Sequence, residues 1–286
     1  MLSAAAFFGS FLAGVLFLVG CRSILACPNL ARTNYANRQV PTSAGFIFVP
    51  VYLLVYVAIR LSEKAHATKL FAPGESLLIL IIGMCLLGII DDMLGDRDSR
   101  GFKGHLRALF KGDLTTGLIK AIGGLLIAAA ASFWFSNHLW ELALNVFLIA
   151  LCANIFNLLD TRPGRALKVF FPLLAAAIAL NWRMGDAFIP YLLSVGAVAL
   201  VLLPGDLRER FMLGDAGSNV LGATVGLALA LGAGKWWKLG LVILLGSLNL
   251  LSERYSFSRL IESNRALRWA DLLGRKGHGQ DKVKYT

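Results

Sequence analysis

Four short polar runs carry the side chains that could do chemistry. They are Pro41-Thr42-Ser43-Ala44-Gly45, Asp91-Asp92, Asn154-x-x-Asn157-x-x-Asp160 and Gly214-Asp215-Ala216-Gly217-Ser218. Adjacent carboxylates such as Asp91 and Asp92 repel each other unless a positive charge lies beside them. A divalent metal supplies that charge, and Mg²⁺ is typically held by one or two carboxylates plus substrate phosphates. A solvated helix end is the plainer reading of the same pair. Asn154, Asn157 and Asp160 recur every three residues, which keeps them on one broad helix face. Two amides and an acid there can bind a metal, a ribose or a phosphate, or the amides can bond a neighbouring helix. In the last run, glycines allow close backbone approach to a ligand. Ser218 can cap a helix, whose N-terminus attracts phosphate, and Asp215 beside it suits a metal bridging to that phosphate. A turn or cap is the plain role for Asp215.

Basic residues accompany these acids. The loop from Gly95 to Thr116 holds Arg97, Arg100, Lys103, His105, Arg107 and Lys111. Arg grips phosphate with two donors and Lys acts as a point charge, so the loop suits a diphosphate. Ordinary charge on a membrane's inner face explains most of the six equally well. Lys120 differs because it lies about one turn inside an apolar stretch. A lysine there faces a cavity or a partner, or snorkels to the interface.

The elements that must position these runs are membrane helices. The 286 residues are 57% hydrophobic and only 16% charged, whereas soluble domains carry about 25% charged residues. Nine apolar stretches approach the ~20 residues needed to cross a bilayer: roughly 4–21, 43–61, 74–90, 116–135, 139–159, 166–181, 187–203, 217–234 and 236–252. The expected fold is an all-α polytopic membrane helix bundle of about nine transmembrane helices. Residues 1–252 form the membrane-embedded domain, and 253–286 form a basic cytoplasmic tail with an amphipathic pattern that suits the membrane surface. Leu18-Val19-Gly20-Cys21 resembles a lipoprotein cleavage box, but Met1 to Ser10 has no charged side chain. A signal peptide needs a positive n-region, so the first span is expected to be an uncleaved helix with its N-terminus outside.

Charge then sets the orientation, because Lys and Arg concentrate in cytoplasmic loops. With nine alternating spans, 21 Lys and Arg fall inside and 6 outside; without the tail the ratio is still 13 to 6. All four polar runs then share the cytoplasmic face, with the C-terminus also inside. The net charge of +11 thus reports topology, and nucleic acid is not an expected partner. Four cysteines form no CxxC pair and no metal spacing with histidine, so no disulfide is expected.

The ordered set resembles the polyprenyl-phosphate N-acetylhexosamine-1-phosphate transferases (glycosyltransferase family 4), over residue 20 to about 252. That family's pattern has Pro-Thr-x-x-Gly, Asp-Asp after an apolar span, Asn-x-x-Asn-x-x-Asp-Gly, and Gly-Asp-x-Gly-Ser before another span. The resemblance implies transfer of an amino-sugar 1-phosphate from a UDP-amino sugar to a polyprenyl phosphate, with release of UMP, in cell-wall or surface-polysaccharide synthesis. It implies a Mg²⁺ cofactor, a bacterial inner-membrane location with a cytoplasmic active site, and it allows a homodimer. By motif match, Asp91 and Asp92 act at the metal and the attacking lipid phosphate, with their division of labour open. Asp92 and Asp215 are the implied metal ligands. Thr42, Lys103, Lys111, Lys120, Asn154, Asn157, Asp160 and Ser218 are the implied substrate contacts.

Two departures mark a divergent member. Where the family continues Asp-Gly-x-Asp-Gly, this chain reads Asp160-Thr161-Arg162-Pro163-Gly164-Arg165. Where the family carries a histidine cluster in its last cytoplasmic loop, this chain has a single histidine, His278. These departures keep a second reading open: a catalytically weakened relative that binds polyprenyl phosphate or a cell-wall assembly partner. A transporter is disfavoured, since no inverted repeat of broken helices is visible.

Overall fold

A computed structural model describes residues 1–62, 73–94 and 116–275. Lys103, Lys111 and His278 lie outside the described residues. All nine expected stretches are helical: α1 Leu2–Gly20, α2 Phe48–Ser62, α3 Pro73–Leu94, α4 Thr116–Ser132, α5 Leu139–Leu159, α6 Arg165–Leu180, α7 Ile189–Leu207, α8 Gly214–Gly232 and α9 Lys235–Ser252. Two short helices follow, α10 Phe257–Ser263 and α11 Arg265–Leu272. The protein is an all-α polytopic membrane protein.

Six helices among the described residues are long and apolar enough to cross a bilayer: α1, α2 with its leading turn, α3, α4 with its trailing turn, α5 and α7. The other three fall short for separate reasons. At 16 residues, α6 spans roughly 24 Å at 1.5 Å per residue, and it carries Arg165 and Lys168. The α9 helix includes Lys235, Lys238 and Asn249. Asp215, Asn219 and five glycines dilute α8, which meets other helices rather than lipid.

Nearly every residue of α8 is buried, and it packs against α3, α5 and α6. Small residues permit that. A Cβ on Gly222 would fall 2.4 Å from the Cys152 carbonyl oxygen, and one on Gly226 would fall 2.7 Å from Ile149 Cα. Close backbone approach of this kind drives helix association in lipid, where apolar burial gives little advantage. Around this axis α1 packs on α7, and α4 on α3.

Before α2 the chain forms a small hairpin that periodicity did not suggest. Strands β1 Ala31–Thr33 and β2 Gln39–Pro41 pair antiparallel, with Arg32 opposite Val40. Pro41 therefore ends a strand and does not open a helix. Ser43 then turns through a left-handed conformation (φ 63°), and a 3₁₀ turn, Ala44–Ile47, leads into α2. The tail also departs from a simple surface helix. Its outer side exposes Leu260, Leu267 and Trp269, as an amphipathic segment would, but its inner side is bonded to residues 161–168.

Candidate active site

The N-terminus of α8 is the meeting point of three of the four polar runs. The Pro41–Gly45 segment lies against residues 212–213: Met212 N–H donates to Pro41 O (2.7 Å), Ala44 N–H to Met212 O (3.2 Å) and Gly45 N–H to Leu213 O (3.0 Å). Gly214 enters the helix with φ 73°, and a Cβ there would strike Asp92 Oδ2, Ser43 N and Thr42 Oγ1 at 2.6–2.7 Å. A Cβ on Gly45 would fall 2.1 Å from Gly217 Cα, and one on Gly88 would fall 2.3 Å from Ala216 N. The glycines of these runs thus serve backbone contact between helices. A glycine's lack of Cβ is what makes that spacing available.

Asp92 is the cap of α8, supplied from another helix. Its Oδ1 accepts the Asp215 amide (3.1 Å), and its Oδ2 accepts the Ala216 amide (3.3 Å) and the Ser43 hydroxyl (2.7 Å). Two orphan amides of a helix N-terminus are thereby satisfied, next to a carboxylate that the helix dipole favours. Ser218 does not cap the helix, because α8 starts four residues earlier, at Gly214. Its hydroxyl is fully buried and has no hydrogen-bond partner. Thr42 is also buried, and its amide bonds to Leu30 O at 2.8 Å.

Asp91 and Asp215 face a common cation. The Lys120 ammonium lies 3.1 Å from Asp91 Oδ2 and also pairs with Asp215 Oδ2. Lys120 therefore turns inward to partners rather than snorkelling to the interface. The end of α3 is anchored by Arg32, whose guanidinium donates to Met93 O at 2.7 Å.

Asp160 ends α5 as its C-cap, beside this cluster. Burial, then the nearby Asp206, Asp215 and Asp92 carboxylates, push its carboxyl well above the usual range, and the Gly214 amide offsets part of that. Asn154 stands apart. Its exposed amide donates to Asn249 Oδ1 of α9, the helix-bonding role open to such amides. Asn157 lies one turn before Asp160 and is half-buried.

Sequence reasoning missed Asp206. It sits in Pro204-Gly205-Asp206, a stretch expected to be loop but folded into the last turn of α7. The side chain is buried and accepts the Gly164 amide (2.6 Å) and the Leu213 amide (3.0 Å). It ties the Asp160–Gly164 loop to the entry of α8. An acid directly after Pro-Gly was the available signal. Glu209 was missed as well. It takes the Asn34 amide and the Tyr35 hydroxyl, both at 2.9 Å, and the Arg162 guanidinium lies 4.4 Å over the Tyr35 ring. Together these residues line a small cleft that includes Asp160.

Among the described residues, no group of three or more His, Cys, Asp or Glu side chains is gathered as a ready metal-ligand set. Two acids already converge on one cation, however, and further carboxylates lie close by. Such a donor set fits a hard cation that takes its remaining ligands from phosphate or water.

No family model matches the chain. It is 26% identical over 222 residues to a phospho-N-acetylmuramoyl-pentapeptide-transferase of Deinococcus radiodurans, an alignment covering 72% of this chain and 66% of the relative. The chain thus spans just under two thirds of that relative's length. That similarity to a phospho-N-acetylmuramoyl-pentapeptide-transferase accompanies four ordered polar runs, three of which converge at one helix terminus.

Proposed function

We propose that the protein transfers an amino-sugar 1-phosphate from a UDP-amino sugar to a polyprenyl phosphate at the cytoplasmic face of a bacterial inner membrane. The observation that carries this reading is the convergence of Asp91, Asp92, Lys120 and Asp215 at the N-terminus of α8. Anionic phosphate suits a helix N-terminus, and a donor diphosphate and an acceptor phosphate both need their charge offset at the point of transfer. The nine-span topology with the N-terminus outside belongs to the same proposal, since it puts this cluster on the lysine- and arginine-rich side.

Asp92 and Asp215 would hold Mg²⁺, with Asp91 beside them on Lys120. When bound, the ion supplies Lewis-acid stabilisation of charge on the transferring phosphoryl group. Asp92 has a second task, because it aims the α8 terminus by capping it. Lys120 holds Asp91 and Asp215 together and offers a cationic contact to phosphate. Asp160, Asn157 and the cleft beside them are the side from which the nucleotide would approach. Lys103 and Lys111 remain proposed phosphate contacts, Thr42 and Ser218 proposed lining residues, and Asn154 a proposed contact at the rim.

The test is UMP release from a panel of UDP-amino sugars by the detergent-purified protein, with polyprenyl phosphate and Mg²⁺, and mass spectrometry of the lipid product. A polyprenyl diphosphate sugar is the expected product, formed only with Mg²⁺ present. No turnover across the panel from folded protein would overturn the enzymatic reading. The altered run after Asp160 favours the second reading, a weakened relative that binds polyprenyl phosphate; there, Asp91→Asn would retain function in cells.

A further inference from the structure

The run that departs from the family pattern is a joint. Arg165 is 3% exposed and Asp271 8% exposed. The guanidinium grips the carboxylate with both prongs, Nε to Oδ1 at 2.8 Å and Nη2 to Oδ2 at 3.0 Å. Its third nitrogen donates to Thr161 Oγ1 (3.1 Å) and Ser258 Oγ (2.9 Å). Arg275 reaches Asp271 Oδ1 (2.9 Å) and Pro163 O (3.2 Å). Lys168 donates to the carbonyls of Ala270 (2.9 Å), Asp271 and Leu273 (3.2 Å), closing the C-terminal end of α11, where a cation is favoured. Arg162 pairs with Glu262 of α10 at 2.8 Å.

This joint is continuous with the candidate active site. Gly164, next to Arg165, gives its amide to Asp206, and the other oxygen of Asp206 holds the Leu213 amide, one residue before Gly214-Asp215. Asp160 stands at the other end of the same loop. An ion pair this buried is indifferent as a source of net stability, but removing one partner leaves an uncompensated charge. Its geometry is therefore stringent.

We infer that Arg165 and Asp271 are positioning residues: their ion pair straps residues 256–275 onto the Asp160–Gly164 loop and holds Asp160 and the entry of α8 in register for the nucleotide donor. The nucleotide part rests on the proposed function. The strap has its own readout.

The experiment uses the full chain in detergent and four variants: Asp271→Asn, Arg165→Lys, the exchanged pair Arg165→Asp with Asp271→Arg, and Thr161→Cys with Ser258→Cys added to Asp271→Asn. Hydrogen exchange is followed over residues 160–165, 212–216 and 257–275, and Mg²⁺-UMP binding is titrated by calorimetry. Asp271→Asn is expected to speed exchange at least ~10-fold in all three segments, as loss of a buried ion partner should. It should weaken UMP binding, and raise donor KM more than it lowers kcat. Oxidation of the added cysteine pair should restore both, since it closes the strap covalently, and the exchanged pair should restore them in part. Arg165→Lys keeps the charge but loses the fork, and gives a graded form of the defect if Asp271→Asn does not fold. Faster exchange confined to 257–275 would overturn the inference, as would faster exchange in the two site segments with UMP affinity unchanged. If the unaltered protein binds no UMP, the nucleotide reading fails, and exchange over 160–165 and 212–216 still decides whether the strap positions the loop.

Discussion

Two charged clusters at one end of the helix bundle are built in opposite ways. Around the α8 terminus, acids outnumber cations: Asp91, Asp92, Asp160, Asp206 and Asp215 lie together, and Lys120 pairs with two of them. Around Asp271 the balance is reversed, with Arg165 and Arg275 on the carboxylate and Lys168 on the adjoining carbonyls. Among the described residues, each cation of the second cluster has protein partners, the pattern of a structural joint. Among the described residues, the first sets five acids against one lysine beside a helix N-terminus, a combination that suits a cation and a phosphate. The two clusters thus differ in partnering: Arg165, Arg275 and Lys168 are each bonded to carboxylate, hydroxyl or carbonyl oxygens of the fold, whereas the described acids at the α8 terminus share one lysine.

The largest effect expected from breaking this contrast is at Asp215. Asp215→Asn should lower turnover about 10²–10³-fold, the order that loss of one preorganised electrostatic group costs an active site, while hydrogen exchange in the 257–275 strap stays unchanged. Loss of the strap in that variant would show that the two clusters are one structural unit. Next comes Gly214→Ala. It adds a Cβ against Asp92, Ser43 and Thr42 at a left-handed position. Strain and overpacking together should cost ~2–4 kcal/mol, read as a lower Tm in detergent; an unchanged Tm would mean that the three segments are not packed this closely.

The smallest effect concerns pH at the joint. Burial would raise the Asp271 carboxyl, but the Arg165 fork and then Arg275 outweigh it and hold it below the usual range. A depressed folded value means that the stabilisation is fully present above the unfolded value, about 3.9 for Asp, and is lost as pH falls through the lowered one. The strap should stay docked at pH 5 and loosen only below about pH 4. Protease sensitivity of residues 257–275 checks this, and release already at pH 6 would contradict the ion pair as the holding contact.

Much of this was legible in the chain. Apolar stretches of 16 to 21 residues are helical wherever expected, because backbone polar groups in lipid must be satisfied locally and a helix does so. The Asp-Asp and Gly-Asp-x-Gly-Ser runs stood out because acids at the ends of apolar spans are costly to keep. Other features were hidden for stated reasons. The three-residue strands at 31–33 and 39–41 are too short for any periodicity. Asp206 sat in what read as loop, because Pro204 hid a helix that continues through it. Arg162 and Arg165 stood out only as a departure from the family pattern; their partners, Glu262 and Asp271, lie about a hundred residues away.

The sequence by itself determined the helices, the membrane setting and the charge bias, all of which depend on local composition and on backbone groups bonding within a few residues. Only the tertiary structure decided that Asp92 caps α8, that Lys120 bridges Asp91 and Asp215, and that the run after Asp160 clamps the tail. Each is a contact between groups distant in the chain. Their pairing depends on how glycine-lined helices approach one another, and the order of residues along the chain does not state it.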